Sequence, residues 1–133
     1  MTRWILVLAM ALLPLEAVAL PVRPFACSVS VRAPTGPGLL SEACAVPRGR
    51  QLVIEHLNGV GTGQEPAFVM VRVTTAGEAR SFYYPVVARP LNMWTLSQAV
   101  VLYADAGSTV LFQVNSRDSG PASVTFSLSG RLE

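Results

Sequence analysis

Apolar and polar residues alternate along most of this 133-residue chain, in short runs that Gly, Pro, Asn and Asp separate. Alternation with a period of two is typical of strands that bury one face. Residues 122–128 are an example, in which Val124, Phe126 and Leu128 are predicted to point inward between hydroxyl residues. No stretch after the first 19 residues keeps a helical period for long, so the pattern predicts an all-β fold.

The runs predict eight or nine strands with turn residues regularly spaced between them. This spacing favours an antiparallel two-sheet β-sandwich of the jelly-roll or immunoglobulin-like type. Residues 51–58 are apolar on both faces at their start, as in a central strand, and the glycine-rich residues 59–66 are predicted to be a loop. Further along the chain, the pattern predicts a hairpin from residues 67–75 and 81–87, a strand or irregular edge at 93–98, and a separate strand at 99–103.

The first 19 residues follow a different pattern. A basic start with Arg3 precedes an apolar run over residues 4–15, and small residues follow up to Ala19. This is the order of a secretory signal peptide with cleavage after Ala19. The run is shorter than the roughly 20 residues of a membrane-spanning helix. A retained anchor and lipidation at Cys27 are the alternatives to a cleaved, secreted or periplasmic protein without further membrane contact.

Residues 20–133 are predicted to form a single domain of 114 residues, which is enough for one hydrophobic core. All ten basic residues of the chain are Arg, and nine of them stand against seven acidic residues after position 19. They are scattered along the chain rather than clustered. A nucleic-acid partner is therefore not expected, because its phosphates require a concentrated positive surface.

Cys27 and Cys44 are the two cysteines of the chain, 17 positions apart. In an exported protein such a pair predicts one disulfide. A redox-active pair would instead need the Cys-x-x-Cys spacing, which is absent. The bridge is therefore predicted to be structural, joining the first strand to the segment that follows the Pro- and Gly-rich turn at residues 34–38.

Candidate catalytic residues are few. His56 is the single histidine, so a multi-histidine metal site cannot form. It follows Glu55 on a predicted strand, where successive side chains point to opposite faces, and Glu55 is predicted to pair with an arginine across the sheet. Asp105 and Asp118 lack the closely spaced oxygen ligands of a calcium site. The sequence therefore predicts a protein that is not an enzyme and holds neither a metal nor a cofactor.

Aromatic residues are the candidates for binding. Phe82, Tyr83 and Tyr84 are consecutive on a predicted strand, so Tyr83 points to the face opposite the other two. Exposed rings stack on sugars and anchor protein interfaces. Tyr83, Trp94 and Tyr103 are therefore candidate ligand-binding residues, for a carbohydrate or another cell-surface component such as a protein. The competing interpretation is that these rings fill the core or cover its edge.

A different class of function is also open, in which the protein is a structural or assembly component whose strand edges pair with other copies. The sequence makes no prediction about the oligomeric state.

Three segments carry a resemblance to known proteins: VPRGRQLVIEH at 46–56, VLYADAGS at 101–108 and LSGRL at 128–132. They resemble segments of small exported bacterial β-sandwich proteins of uncharacterised function. The resemblance implies the sandwich fold and no active site. The chain is also loosely similar to chaperone-assembled pilus subunits, which carry a disulfide near the first strand, but it lacks their tyrosine next to the C-terminus.

Overall fold

The computed structural model describes residues 21–33, 38–116 and 122–133, and every regular element in these ranges is a β-strand. The predicted leader at 1–19 and most of the predicted turn at 34–38 lie outside them. Nine strands are present: β1 (Arg23–Ala33), β2 (Gly38–Ala45), β3 (Leu52–Thr62), β4 (Val69–Thr75), β5 (Glu78–Tyr84), β6 (Val87–Arg89), β7 (Met93–Ala104), β8 (Thr109–Ser116) and β9 (Ala122–Leu132).

The strands form two antiparallel sheets, one with the order β1-β9-β3-β7-β6 and the other with the order β2-β8-β4-β5. The predicted two-sheet β-sandwich is therefore confirmed. Side chains of both inner faces fill the space between the sheets, including the predicted inward residues Val124, Phe126 and Leu128. Phe126 of β9 stacks almost parallel on Phe112 of β8, with ring centroids 5.0 Å apart, and so links the two sheets at the centre of the core.

Strand β3 runs further than the sequence predicted. Residues 59–62, expected to begin a loop, continue the strand and pair with β7, and residues 59–61 also pair with β9. Gly59 and Gly61 are buried there because large side chains lie directly over them. A Cβ at Gly59 would meet the Phe126 ring at 3.3 Å, and one at Gly61 would overlap the indole of Trp94. These glycines make room for large core residues rather than breaking the strand.

The segments predicted separately at 93–98 and 99–103 belong to one strand, β7. The short strand β6, which the sequence did not predict as a separate element, pairs with the beginning of β7 from Met93 to Thr95. The rest of that edge of β7 has no neighbouring strand in the described part of the sheet.

Strand β3 contains an irregularity at Glu55. Its pairing with both neighbours shifts register between Ile54 and His56. Ile54 and Leu57 are both buried in the core. Two consecutive residues, Glu55 and His56, therefore lie on the outer side of β3 between them, whereas strict alternation would place only one residue there. The prediction that Glu55 and His56 point to opposite faces is therefore wrong, because a β-bulge interrupts the alternation.

Gly130 of β9 lies against this bulge. A Cβ at Gly130 would overlap the carbonyl oxygen of Val53 and lie 3.0 Å from the Cα of Ile54. Both atoms belong to the backbone of the central strand and cannot rotate away. There is therefore a steric requirement for glycine at position 130, near the end of the last strand.

We expect Gly130→Ala to lower the free energy of unfolding by about 3 kcal/mol, because the added methyl forces two paired strands apart. Gly38→Ala is the matched control, since a Cβ there meets nothing within 4 Å and should change stability by less than about 0.5 kcal/mol. Urea unfolding followed by circular dichroism measures both. Equal unfolding midpoints for the two variants would contradict the close approach at the bulge.

The predicted disulfide is present. Cys27 of β1 and Cys44 of β2 are bonded, with Cα atoms 6.2 Å apart. Each of these strands lies at the edge of its own sheet, so the bridge joins the two sheets along one side of the sandwich.

Candidate binding surface

Tyr83 lies on the outer face of the four-stranded sheet. Its neighbours on β5, Phe82 and Tyr84, are half-buried against the core, and alternation therefore turns Tyr83 outward with 60% of its surface exposed. Phe68, just before β4, is 48% exposed. The two rings meet edge to face with centroids 4.9 Å apart, so they form a single aromatic corner.

Met70 fills the outer face beside these rings. It pairs across the sheet with Tyr83 on one side and with Gln113 on the other. Only 7% of Met70 is exposed, yet it does not belong to the core between the sheets. Its burial therefore comes from neighbours on the outer face, which makes this part of the surface apolar and well packed.

Two amide side chains extend the surface across β8. Gln113 and Asn115 flank the inward-facing, buried Val114, so both point outward. Asn115 also lines a cleft of about 70 Å³ together with Phe68. The name "aromatic platform" is used below for five residues: Phe68, Met70, Tyr83, Gln113 and Asn115.

The platform combines two kinds of contact. The rings of Phe68 and Tyr83 offer flat apolar faces for the C–H groups of a ligand. The amides of Gln113 and Asn115 each supply donors and an acceptor for its hydroxyl groups. This combination suits a ligand with alternating apolar and hydroxyl-bearing faces.

Trp94 cannot take part in surface binding. It is 2% exposed and points into the core, where it lies over Gly61 of the neighbouring strand. The expectation that its ring is offered to a ligand is therefore wrong. The space for the indole is made by Gly61, which lies in a segment with the composition of a loop, so little in the sequence indicates that Trp94 is buried.

Tyr103 is exposed, but on the other sheet. It lies on β7 with 43% of its surface accessible and pairs with Val53, which Arg131 flanks from the other side. Val53 is fully buried without belonging to the core between the sheets, so these neighbours cover it on the outer face. Tyr83 and Tyr103 belong to different sheets, and the three predicted binding residues do not form one site.

Phe68 and the two amide residues of β8 were not predicted from the sequence. The signal for Phe68 is the alternation along β4, where Val69, Val71 and Val73 are buried in the core. An aromatic residue one position before this series falls on the outer face. Nothing in the sequence indicated that Gln113 lies in the same cross-strand row as Tyr83, because the order of strands in the sheet sets that neighbourhood.

Glu55 pairs with an arginine across the sheet, as predicted. The guanidinium of Arg131 on β9 donates hydrogen bonds to Glu55 and, at 2.8 Å, to Glu133. These hydrogen bonds, the one with Glu133 first, raise the pKa of Arg131 above its usual value. All three side chains are substantially exposed, so the group is a surface ion network between β3 and β9.

The hydrogen-bond partners of His56 are neutral side chains of the same outer face. Its Nε2 lies 3.2 Å from Oδ1 of Asn58 and 3.2 Å from Oγ of Ser97. A general base of the Ser-His-Asp type needs a carboxylate that orients the ring, and these contacts do not supply one.

Asp105 has a structural role. Its carboxylate accepts hydrogen bonds from the backbone N–H groups of Ala76 (2.9 Å) and Gly77 (2.8 Å). These two residues form the turn between β4 and β5, and both have positive φ angles, of 51° and 78°. Asp105 thus fixes a hairpin turn of the other sheet, and Asp118 lies outside the described residues.

Among the residues that the structure describes, no three His, Cys, Asp or Glu side chains come together as a metal site. The same ranges contain no helix with the length and hydrophobicity of a membrane span.

No known protein family matches the sequence, and no curated protein is similar enough to match it.

Proposed function

We propose that this protein is an exported, non-enzymatic binding module that holds carbohydrate, or a carbohydrate-bearing component of a cell surface, on the aromatic platform. The observation that carries the proposal is the pair of exposed rings, Phe68 and Tyr83, in edge-to-face contact outside the core. Exposed rings held rigidly on a strand lose little entropy when they bury area against a ligand.

Carbohydrate fits this surface better than a compact apolar ligand. The clefts along the platform are shallow, and the one beside Phe68 has a volume of about 70 Å³, far below the roughly 300 Å³ of a small-molecule pocket. A sugar ring can instead lie flat against Tyr83 with Phe68 as a wall at a right angle. Its hydroxyl groups then face Gln113, one strand beyond Met70.

The disulfide supports the proposed location. A bond between Cys27 and Cys44 forms and persists in oxidising compartments such as the periplasm or the extracellular space. Glycans of envelopes and surfaces are met in those compartments, so the location and the ligand class agree.

Replacing Tyr83 by alanine is expected to weaken carbohydrate binding by roughly 10-fold or more, because the stacking surface is lost. The measurement is a screen of the oxidised protein against a broad glycan panel, followed by calorimetric titration of the strongest binder. Phe68→Ala should act in the same direction, since the wall of the corner disappears.

Tyr103→Ala is the matched control, because it removes an exposed tyrosine from the other sheet and should leave the affinity unchanged. Absence of binding to every glycan in the panel would overturn the proposal. Equal losses for Tyr83→Ala and Tyr103→Ala would overturn the location of the site.

A further inference from the structure

One edge of the five-stranded sheet is only partly covered. Strand β6 pairs with β7 up to Thr95. At the other end of β7, the Tyr103 carbonyl accepts a hydrogen bond from the Thr75 hydroxyl (2.5 Å), and the Asp105 N–H donates to the Thr74 carbonyl (2.8 Å). Between these points, residues 97–102 have no neighbouring strand in the described part of the sheet. This open edge is about 20 Å long.

The open edge lacks two of the three features that usually prevent strand pairing, and the third, a register shift against β3, lies at Val100 and Val101. Edge strands are commonly protected by charges, proline or a bulge. Among the other edge strands of the described chain, β1 carries Arg23 and Arg32, β2 carries Glu42, β5 carries Glu78 and Arg80, and β6 carries Arg89. Residues 97–102, with the sequence SQAVVL, contain neither a charge nor a proline.

The core beneath this edge is incompletely covered. Phe82 and Tyr84 of β5 face the inside of the sandwich but are only half-buried. A groove of about 180 Å³ opens beside Phe82 between the β4–β5 hairpin and β7, and Val73, Arg80 and Leu102 are among the residues that line it. A further strand next to β7 would lie over this groove and bury the ring of Phe82.

We infer that the open edge of β7 pairs antiparallel with the same edge of a second copy of this chain. The pairing forms a closed two-fold dimer in which the five-stranded sheets become one continuous sheet. Each partner supplies the strand that the other lacks, so the contact is isologous and uses backbone hydrogen bonds. The Ala99 carbonyl, which now accepts a hydrogen bond from the Gln98 side chain at 3.2 Å, would accept one from the second strand.

The side chains favour a particular register. With the two-fold axis at Val100, each Val101 lies directly across from Ala99 of the second copy, so a large apolar residue meets a small one on the outer face. Val101 is 66% exposed in the single chain and loses much of that exposure in the pair. This dimer leaves the aromatic platform free, because Tyr83 lies on the outer face of the other sheet.

Sedimentation velocity across a concentration series tests the dimer, with the oxidised exported protein and two variants. The wild type is expected to change from monomer to dimer and to stop there. Val101→Arg is expected to weaken the dimer by roughly 100-fold, because each copy would place a charge at the apolar contact. Val60→Arg is the matched control, since Val60 is an exposed valine on the outer face but on the central strand β3.

Hydrogen exchange on the wild type provides a second measurement that needs no variant. Amides of Ser97, Ala99 and Val101, which face the open edge, should become protected as the protein concentration rises, while those of β1 should not change. A wild type that stays monomeric, a dimer insensitive to Val101→Arg, or a dimer abolished by Val60→Arg would overturn the inference. Growth beyond the dimer would overturn the closed two-fold arrangement.

Discussion

Trp94→Ala should lower the free energy of unfolding by about 3–5 kcal/mol, the range found for removing a buried aromatic side chain from a close-packed core. Trp94 is 2% exposed, and the strand beneath it carries Gly61, whose missing side chain leaves the space that the indole fills. Alanine at position 94 would leave a cavity that Gly61 cannot fill. Urea unfolding followed by far-ultraviolet circular dichroism measures the loss without relying on the tryptophan signal.

Leu91→Ala is the control for this experiment. Leu91 is 91% exposed, and its truncation should change stability by no more than about 0.5 kcal/mol. If Trp94→Ala left stability unchanged and removed carbohydrate binding instead, Trp94 would have to lie on the surface, and the core described above would be wrong.

Removing the disulfide has the second large effect. Replacing Cys27 and Cys44 together by alanine should lower the free energy of unfolding by about 3 kcal/mol, because the unfolded chain loses a cross-link that closes a loop of 17 positions. Strand β1 keeps its pairing with β9, so the double variant should still fold. Its two sheets would no longer be tied along the β1 and β2 side.

Reduction of the wild type with dithiothreitol is the control, and it should reproduce the unfolding midpoint of the double variant. A midpoint for the double variant equal to that of the oxidised wild type would contradict a stabilising role of the bridge. Free thiols in protein recovered from its native compartment would contradict the bond itself.

Much of the fold could be predicted because the burial of one strand face leaves a period-two pattern. Val124, Phe126 and Leu128 show this pattern and lie in the core. The exceptions come from contacts between strands that are distant in sequence. Gly59 and Gly61 have the composition of a loop, and only the side chains of Phe126 and Trp94 above them explain why they belong to a strand.

The candidate site was predictable in part. The position of Tyr83 follows from alternation along its own strand, and the structure places this ring outside. Trp94 and Tyr103 were predicted to bind together with Tyr83 because aromatic residues are suited to binding. Whether these rings lie near Tyr83 depends on the order of the strands in the two sheets, which alternation along one strand does not determine. The bulge at Glu55 could not be predicted either, since it appears only in the register of β3 against its neighbours, where Gly130 lies close to the backbone of β3.

Mapping by nuclear magnetic resonance tests the central claim most directly, namely that carbohydrate binds on the outer face of the four-stranded sheet. The isotope-labelled, oxidised protein would be titrated with the strongest binder from the glycan panel. We expect the largest amide shifts at residues 68–70, at Tyr83 and at Gln113 and Asn115, with little change on β1 and β9. Shifts concentrated on the five-stranded sheet, or no shifts with any glycan, would contradict it.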